Sequence, residues 1–175
     1  GSNAASPVRF VSVGRAVTKK GYDTLLDALA GLPKDIHWRF DHAGGGELLG
    51  DLAQQADRVG VADRITWHGA VAQEDVLKLY RKADVFVLPC RIAPDGDRDG
   101  LPNVLVEAAS QALACVSTDV SGVPELIDDG VHGLLVNAND PKSLAAALTR
   151  LARDPALRNR LGTAAEIRVR GQFDY

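Results

Sequence analysis

The sequence of 175 residues is poor in cysteine and lacks methionine, a long apolar run and an excess of basic side chains. Its two cysteines, Cys90 and Cys115, do not have the spacing of a CxxC or metal-binding pair, and we expect both to be reduced in a cytosolic core. No apolar run approaches the roughly 18 residues that span a bilayer, which excludes a transmembrane helix. The 20 basic and 23 acidic side chains give a net charge of -3. A basic face for nucleic acid is therefore not expected.

The chain also lacks an initiator methionine and a signal peptide, and we expect it to be a piece cut from a longer protein. We expect that protein to be cytoplasmic. Its first four residues, Gly1-Ser2-Asn3-Ala4, resemble the remnant of a cleaved expression tag, and we leave 1–4 out of the fold. The whole sequence is 46% apolar and 25% charged, close to the average for globular proteins. Residues 5–175 are predicted to form one domain whose core needs no disulfide or metal.

Short extended segments alternate with longer helical ones along the chain. Val8 to Val13 is a β-branched run that ends at Gly14, and 84–88 is almost continuously apolar, as expected for a strand buried on both faces. The alternation predicts an α/β fold, a doubly wound, Rossmann-like sheet of six mainly parallel strands with helices on both faces. Ligands of such sheets bind at the carboxyl ends of the strands, near a switch in strand order. The predicted strands are 8–13, 36–43, 64–68, 84–88, 114–118 and 133–136, and the predicted helices lie around 22–29, 47–59, 73–82, 104–112, 141–153 and 155–168.

The loop after the first strand contains residues suited to bind an anion. Arg15 and Lys20 follow the strand end and precede a helix start, where backbone amides and the helix dipole favour negative charge. Arginine can bind a phosphate through two hydrogen bonds, and lysine adds a mobile charge. Taken alone, the loop is equally compatible with two solvated surface residues.

A second candidate segment runs from Asp99 to Glu107. Gly100 permits a close backbone approach, and Pro102 suits a first helical turn. Asp99 in the loop and Glu107 one turn inside the helix place two carboxylates around a helix start. Taken singly, Asp99 is explained as well by a counter-charge to the helix dipole, and Glu107 by a solvated helix face.

Glycines and tryptophans give less specific signals. The run Gly44-Gly45-Gly46 fits either a close approach to a nucleotide or a simple turn. Trp38 and Trp67 lie inside predicted strands, and we interpret both as core residues.

Together these segments resemble one known family. The chain is similar to the donor-binding, C-terminal domain of the retaining glycosyltransferases of group 1, also called family 4, which have the GT-B fold. The similarity runs from Val13 to about Asp154 in matching order and spacing. The segments that carry it are Val13-Gly14-Arg15, Lys19-Lys20-Gly21, Gly44 to Glu47, Ala83 to Pro89, Asp99 to Ala108, Ser117 to Leu126 and Asp129 to Val136.

The resemblance implies roles for particular residues. Arg15 and Lys20 hold the diphosphate of the donor, Glu107 binds the ribose hydroxyls, and the backbone at Val71 reads the base. Asp99 lies beside the transferred sugar and departs from the family's usual glutamate, since aspartate is one methylene shorter. The catalytic residues implied are Asp99, Arg15 and Lys20, and the donor-binding residues are Gly14, Arg15, Lys20, Gly45, Val71, Gly100, Leu101, Pro102 and Glu107.

The reaction implied is transfer of a sugar from a nucleoside diphosphate sugar to a hydroxyl acceptor in carbohydrate biosynthesis. By this resemblance the chain binds the donor, needs the absent N-terminal domain as its partner, and transfers nothing by itself. The four histidines are scattered without metal-ligand spacing, and we expect neither a metal nor another cofactor. Peripheral binding of the intact enzyme at the inner membrane face is left open.

Three other functions are left open by the residues alone. A sugar-nucleotide epimerase half-domain is compatible with Arg15 and Lys20, although the spacing from Asp99 to Glu107 favours the transferase. A dinucleotide-binding oxidoreductase domain needs GxGxxG after the first strand, where only Gly14 is present. A non-enzymatic interaction domain leaves the anion-suited loops at one sheet edge unexplained.

Overall fold

A computed structural model describes residues 6–120 and 122–172. The predicted tag remnant at 1–4 and Ser121, which belongs to one of the family-like segments, lie outside the described residues. The strands are β1 (Val8–Val13), β2 (Trp38–Ala43), β3 (Ile65–Trp67), β4 (Val85–Leu88), β5 (Ala114–Thr118) and β6 (Leu134–Val136). They form one sheet in the order β3-β2-β1-β4-β5-β6, and all neighbours pair in parallel. The predicted doubly wound sheet is confirmed.

Helices cover both faces of this sheet. Those of the described residues are α1 (Tyr22–Ala30), α2 (Leu49–Arg58), α3 (Gln73–Lys82), α4 (Asn103–Ser110), α5 (Val123–Leu126), α6 (Pro141–Arg153) and α7 (Pro155–Gln172), with 3₁₀ turns at Thr18–Lys20 and Ala62–Arg64. The sequence did not predict α5 or the 3₁₀ turns, because a single turn is too short to show helical periodicity. Strand β2 begins at Trp38 rather than at 36.

Alternate residues of the central strands face opposite sides of the sheet, and each side has its own core. On β4, Val85 and Val87 point into the core under α1, α2 and α6. Phe86 and Leu88 point into the core under α3 and α4. All four side chains are buried, which explains why β4 is apolar without alternation.

Most residues that the sequence assigns to the core are buried. Both cysteines are free and buried, as predicted, and burial raises the pKa of the Cys115 thiol to about 12. Trp38 is also buried, and the Arg64 guanidinium lies 4.6 Å from the centre of its ring. Trp67 is only half-buried, because it lies on the edge strand β3.

No helix of the described residues is long and apolar enough to cross a membrane.

Strand order reverses next to β1. The chain runs outward from β1 through β2 to β3 and then crosses back to β4 on the other side of β1. The loops that follow β1 and β4 therefore lead to opposite faces and leave a crevice between them at the carboxyl edge of the sheet. Such a crevice is where a doubly wound sheet binds its ligand.

Candidate functional site

A groove of about 930 Å³ opens between the loops after β1 and β4. It lies at the carboxyl edge of the sheet, where strand order switches. Three cationic and four acidic side chains line it, so its walls carry both signs of charge. Seven predicted site residues lie in this lining: Gly14, Arg15, Lys20, Asp99, Gly100, Leu101 and Pro102.

Backbone contacts fix the wall that follows β1. The amide of Ala16 donates to the carbonyl of Gly45 over 2.7 Å. A Cβ on Gly44 would lie 2.2 Å from the Gly14 carbonyl oxygen, and one on Gly46 would lie 2.5 Å from the Ala16 nitrogen. Both glycines also have a positive φ, of 140° and 137°. The glycine run therefore allows two loops to approach closely, which is more than a simple turn requires.

The buried His42, near the end of β2, supports the same wall. Its Nε2 lies 2.8 Å from the Gly14 carbonyl oxygen, which can only accept, so Nε2 carries the proton. Burial lowers the pKa of His42 to about 4. His42 is therefore neutral at pH 7 and donates to Gly14 without adding a charge.

Arg15 and Lys20 lie on this wall but differ in exposure and in ion pairing. Arg15 is exposed, and no carboxylate of the described residues lies within ion-pair distance of it. The Lys20 side chain is only 12% exposed, and its Nζ lies 2.7 Å from Asp99 Oδ2. The residue expected at the diphosphate is thus paired with the residue expected at the sugar.

A second lysine shares the same carboxylate. Lys19 Nζ lies 3.3 Å from Asp99 Oδ1 and 3.6 Å from Asp97 Oδ1. The hydrogen bond and the charge of Asp99 raise the pKa of Lys19. Burial raises the pKa of the Asp99 carboxyl, but the hydrogen bonds and charges of Lys20 and Lys19 outweigh it and hold that pKa below its usual range. Asp99 and Lys19 are therefore ionised at neutral pH.

The opposite wall, residues 91–100, is a mostly exposed loop. Arg91 ties its start to the first wall, because its amide donates to the Lys19 carbonyl over 2.8 Å and its guanidinium contacts Asp23. Further along, Asp97 and Asp99 form the ion pairs with the two lysines. A backbone hydrogen bond therefore holds the start of this wall, and charge holds its acidic part.

Helix α4 begins where that loop ends. Pro102 immediately precedes the helix, and Asn103 and Val104 of its first turn line the groove. Glu107 lies one turn further along, half-buried and outside the lining. Burial, and then the nearby Glu107 carboxylate, raise the pKa of the Tyr80 hydroxyl. The ribose-binding role of Glu107 stays a prediction.

Gly45 and Val71 lie outside the lining of the groove. A Cβ on Gly45 would lie 4.0 Å from a terminal guanidinium nitrogen of Arg15. Val71 follows the edge strand β3 and packs, half-buried, against the core under α3. Within 6–120 and 122–172, no group of three or more His, Cys, Asp or Glu side chains could hold a metal ion. The binding roles of Gly45 and Val71, and binding without a metal, stay predictions.

Sequence reasoning missed three side chains that shape the site: Lys19, Asp97 and His42. A signal existed for the first two, because a pair of lysines after β1 and an acidic run after β4 meet at the switch point. No sequence signal pointed to His42, because its contact depends on how β1 pairs with β2.

A family model described as "Glycosyl transferases group 1" matches residues 3–168. The chain belongs to this family. Among its curated relatives, the amylovoran biosynthesis glycosyltransferase AmsK of Erwinia amylovora is 33% identical over 169 residues, which are 96% of this chain and 42% of AmsK. A GDP-mannose-dependent alpha-(1-6)-phosphatidylinositol monomannoside mannosyltransferase of Mycobacterium tuberculosis is 33% identical over 171 residues, with 94% of this chain and 43% of the relative covered. The chain spans about two-fifths of the length of these relatives.

Solved structures share the fold of this group 1 glycosyltransferase chain. Anabaena HepE, crystallised with UDP and glucose, matches with a TM-score of 0.84 at 23% identity, over 97% of this chain and 45% of HepE. The C-terminal domain of the group 1 protein LpcC from Francisella tularensis matches with a TM-score of 0.82 at 22% identity, over 95% of this chain and 87% of that domain. The predicted half of a GT-B fold is confirmed. Family membership favours the transferase over the epimerase and dinucleotide-binding alternatives.

Proposed function

We propose that this chain is the donor-binding domain of a retaining glycosyltransferase and that its groove binds a nucleoside diphosphate sugar. The observation that carries the proposal is the position of Arg15 and Lys20 on one wall of the groove, at the switch point between β1 and β4. Membership in the group 1 family supports the reaction class. The sugar passes to a hydroxyl group of an acceptor, and the nucleoside diphosphate leaves.

The leaving diphosphate gains negative charge as its bond to the sugar breaks. The Arg15 guanidinium offers two parallel N–H donors to phosphate oxygens, and Lys20 adds a compact positive charge. Backbone amides at the start of α4 add donors of the same polarity. These interactions lower the barrier because they are stronger in the transition state than with the intact donor.

Two carboxylates complete the proposed donor site. Asp99 lies in the groove beside Lys20. In the proposed complex it accepts hydrogen bonds from hydroxyls of the transferred sugar. Glu107 accepts from the ribose hydroxyls, and the backbone at Val71 contacts the base. The donor is also approached by the backbone of Gly14, Gly45, Gly100, Leu101 and Pro102.

The proposal also includes a partner domain. The chain spans about two-fifths of the length of its curated relatives. We propose that an N-terminal domain of the same enzyme holds the acceptor. We therefore expect this chain to bind donor but not to transfer sugar by itself. Because Arg15, Lys20 and a helix start can neutralise the diphosphate, we expect binding without a divalent metal. We expect the intact enzyme in the cytoplasm.

A thermal-shift screen tests the class of ligand. UDP-, GDP-, ADP- and dTDP-sugars are compared with NAD, each with Mg²⁺ and with EDTA. One of the sugar nucleotides should raise the unfolding midpoint in both conditions, since a ligand that binds the folded state stabilises it. Stabilisation by NAD alone would favour a dinucleotide-binding domain instead.

Titration calorimetry with single variants tests the site itself. Arg15→Ala and Lys20→Ala should each weaken nucleoside diphosphate binding by about 1.5–3 kcal/mol, the range for charge-assisted hydrogen bonds. This corresponds to roughly ten- to a hundredfold in Kd. Lys78→Ala, at an exposed position of α3, is the matched control and should bind like the parent. Equal affinities of the parent and both site variants would contradict the assigned site.

A further inference from the structure

Lys20, on one wall of the groove, is paired with a carboxylate of the opposite wall. Lys20 Nζ lies 2.7 Å from Asp99 Oδ2, and the two side chains are only 12% and 18% exposed. Lys20 has three N–H donors, but a diphosphate and a carboxylate that share it would face each other as like charges. A diphosphate that reaches Lys20 must therefore either displace Asp99 from Lys20 or bind against the repulsion of its carboxylate.

Lys19 offers that carboxylate a second partner. Its Nζ lies 3.3 Å from Asp99 Oδ1, which is not the oxygen that Lys20 contacts. Asp99 thus bridges two ammonium groups, one through each oxygen. When Lys20 turns to a diphosphate, Asp99 keeps its ion pair with Lys19 and is not left as an unpaired charge.

We propose that Asp99 is the resting counter-ion of Lys20, exchanged for the donor diphosphate, and that Lys19 is the positioning residue that keeps the displaced carboxylate at the groove. The inference rests on the proposed function and deepens it. In a single step, Lys20 binds the diphosphate and Asp99 is released to contact the sugar. It also explains how a groove lined by three cationic and four acidic side chains accepts a polyanion.

Two opposite effects of Asp99 follow from this exchange. With a nucleoside diphosphate that carries no sugar, Asp99 only competes for Lys20, so Asp99→Asn should tighten binding. With the sugar attached, Asp99 also accepts hydrogen bonds from the sugar. Asp99→Asn should therefore tighten binding of the sugar nucleotide much less than binding of the free nucleoside diphosphate. Lys19→Met should weaken binding, because Asp99 then pairs with Lys20 alone, and Lys19→Arg should restore it.

Titration calorimetry on the 175-residue chain tests the exchange. UDP, GDP, ADP and dTDP are titrated into the parent, and the tightest binder becomes the probe, used free and as its glucose or mannose derivative. Asp99→Asn should tighten binding of the free probe by about two- to fivefold, the upper part of the range that ion pairs near the surface contribute. Asp97→Asn removes the same charge from the same loop but contacts Lys19 alone, and it should tighten binding clearly less than Asp99→Asn does. Asp75→Asn, at an exposed position of α3 outside the groove, is the control and should bind like the parent. As a single substitution, Lys19→Met should clearly weaken binding of the free probe. Combined with Asp99→Asn, it should weaken binding much less.

Each other outcome has a definite meaning. Equal tightening by Asp97→Asn and Asp99→Asn would overturn the exchange, because only the overall charge of the loop would then matter. Unchanged or weaker binding in Asp99→Asn would overturn it as well, while loss of binding in Lys20→Ala would leave the proposed function standing. If none of the four nucleotides binds the parent, the proposed function fails and the exchange fails with it.

Discussion

The two walls of the groove are built by different interactions. After β1, a backbone hydrogen bond and close contacts with glycines hold Gly14–Ala16 against Gly44–Gly46. After β4, ion pairs with Lys19 and Lys20 hold the exposed loop 91–100. The first wall takes its shape from close packing of backbone, whereas the acidic part of the second wall, Asp97 and Asp99, is held against the first by charge.

This difference matches what each wall has to do in the proposed reaction. A group that stabilises a leaving diphosphate needs a fixed position, because electrostatic catalysis depends on preorganised donors. A loop that gives up Lys20 to the donor needs contacts that exchange at little cost. Ion pairs meet that need here, because Asp99 keeps Lys19 as a partner when Lys20 leaves it.

The largest expected effect comes from breaking the packed wall. In Gly44→Ala the new Cβ would lie 2.2 Å from the Gly14 carbonyl oxygen, at a φ of 140°. We expect the free energy of unfolding to fall by about 2–4 kcal/mol, measured by urea titration. Gly50→Ala in α2 is the control, since its Cβ meets nothing within 4 Å, and it should be neutral or stabilise by up to about 1 kcal/mol. A Gly44→Ala variant as stable as the parent would show that the loops do not need this contact.

A somewhat smaller effect concerns how the stability of the protein depends on pH through His42, which supports the same wall. Burial lowers the pKa of His42 to about 4, whereas an unfolded histidine titrates near 6.5. Between these values the unfolded chain binds a proton that the folded chain does not, so stability falls as pH drops from 6.5 towards 4. We expect His42 to contribute roughly 2–3 kcal/mol to this fall.

Urea titrations at pH 7 and pH 4.5 can isolate the contribution of His42. His42→Gln keeps a donor for the Gly14 carbonyl but cannot be protonated, so its stability should depend less on pH than that of the parent. His37→Gln, at an exposed position, is the control and should retain the parent's dependence. An unchanged dependence in His42→Gln would show that other groups cause it.

The smallest expected effect comes from the charged wall. Asp97→Asn and Lys19→Met each remove ion pairs of partly or largely exposed side chains, and each should change the free energy of unfolding by less than about 1 kcal/mol. Thermal unfolding in low salt and in 1 M salt measures both variants against the parent. A loss of several kcal/mol in either would contradict the view that this loop is held by exchangeable contacts.

Sequence patterns were sufficient where residues face a core on both sides. Strands β1 and β5 have the predicted bounds. The loops at the carboxyl ends of parallel strands predicted one shared face for Arg15, Lys20, Glu107 and the loop around Asp99. All of these except Glu107 line the groove. The pair of Lys20 and Asp99 could not be predicted, because the two residues are 79 positions apart and the second lies in a loop without periodicity. Helical spacing likewise predicted a face for Glu107 but not the rotation of α4, which packing of its buried residues determines.

A crystal structure of this chain with its tightest-binding nucleoside diphosphate tests the central claim most directly. We predict phosphate oxygens within hydrogen-bond distance of the Arg15 guanidinium and Lys20 Nζ, with Asp99 still paired to Lys19. We also predict that the backbone of Gly14–Ala16 keeps its position against the glycines after β2. A nucleotide bound away from the groove, or a diphosphate that contacts neither Arg15 nor Lys20, would contradict the proposed donor site.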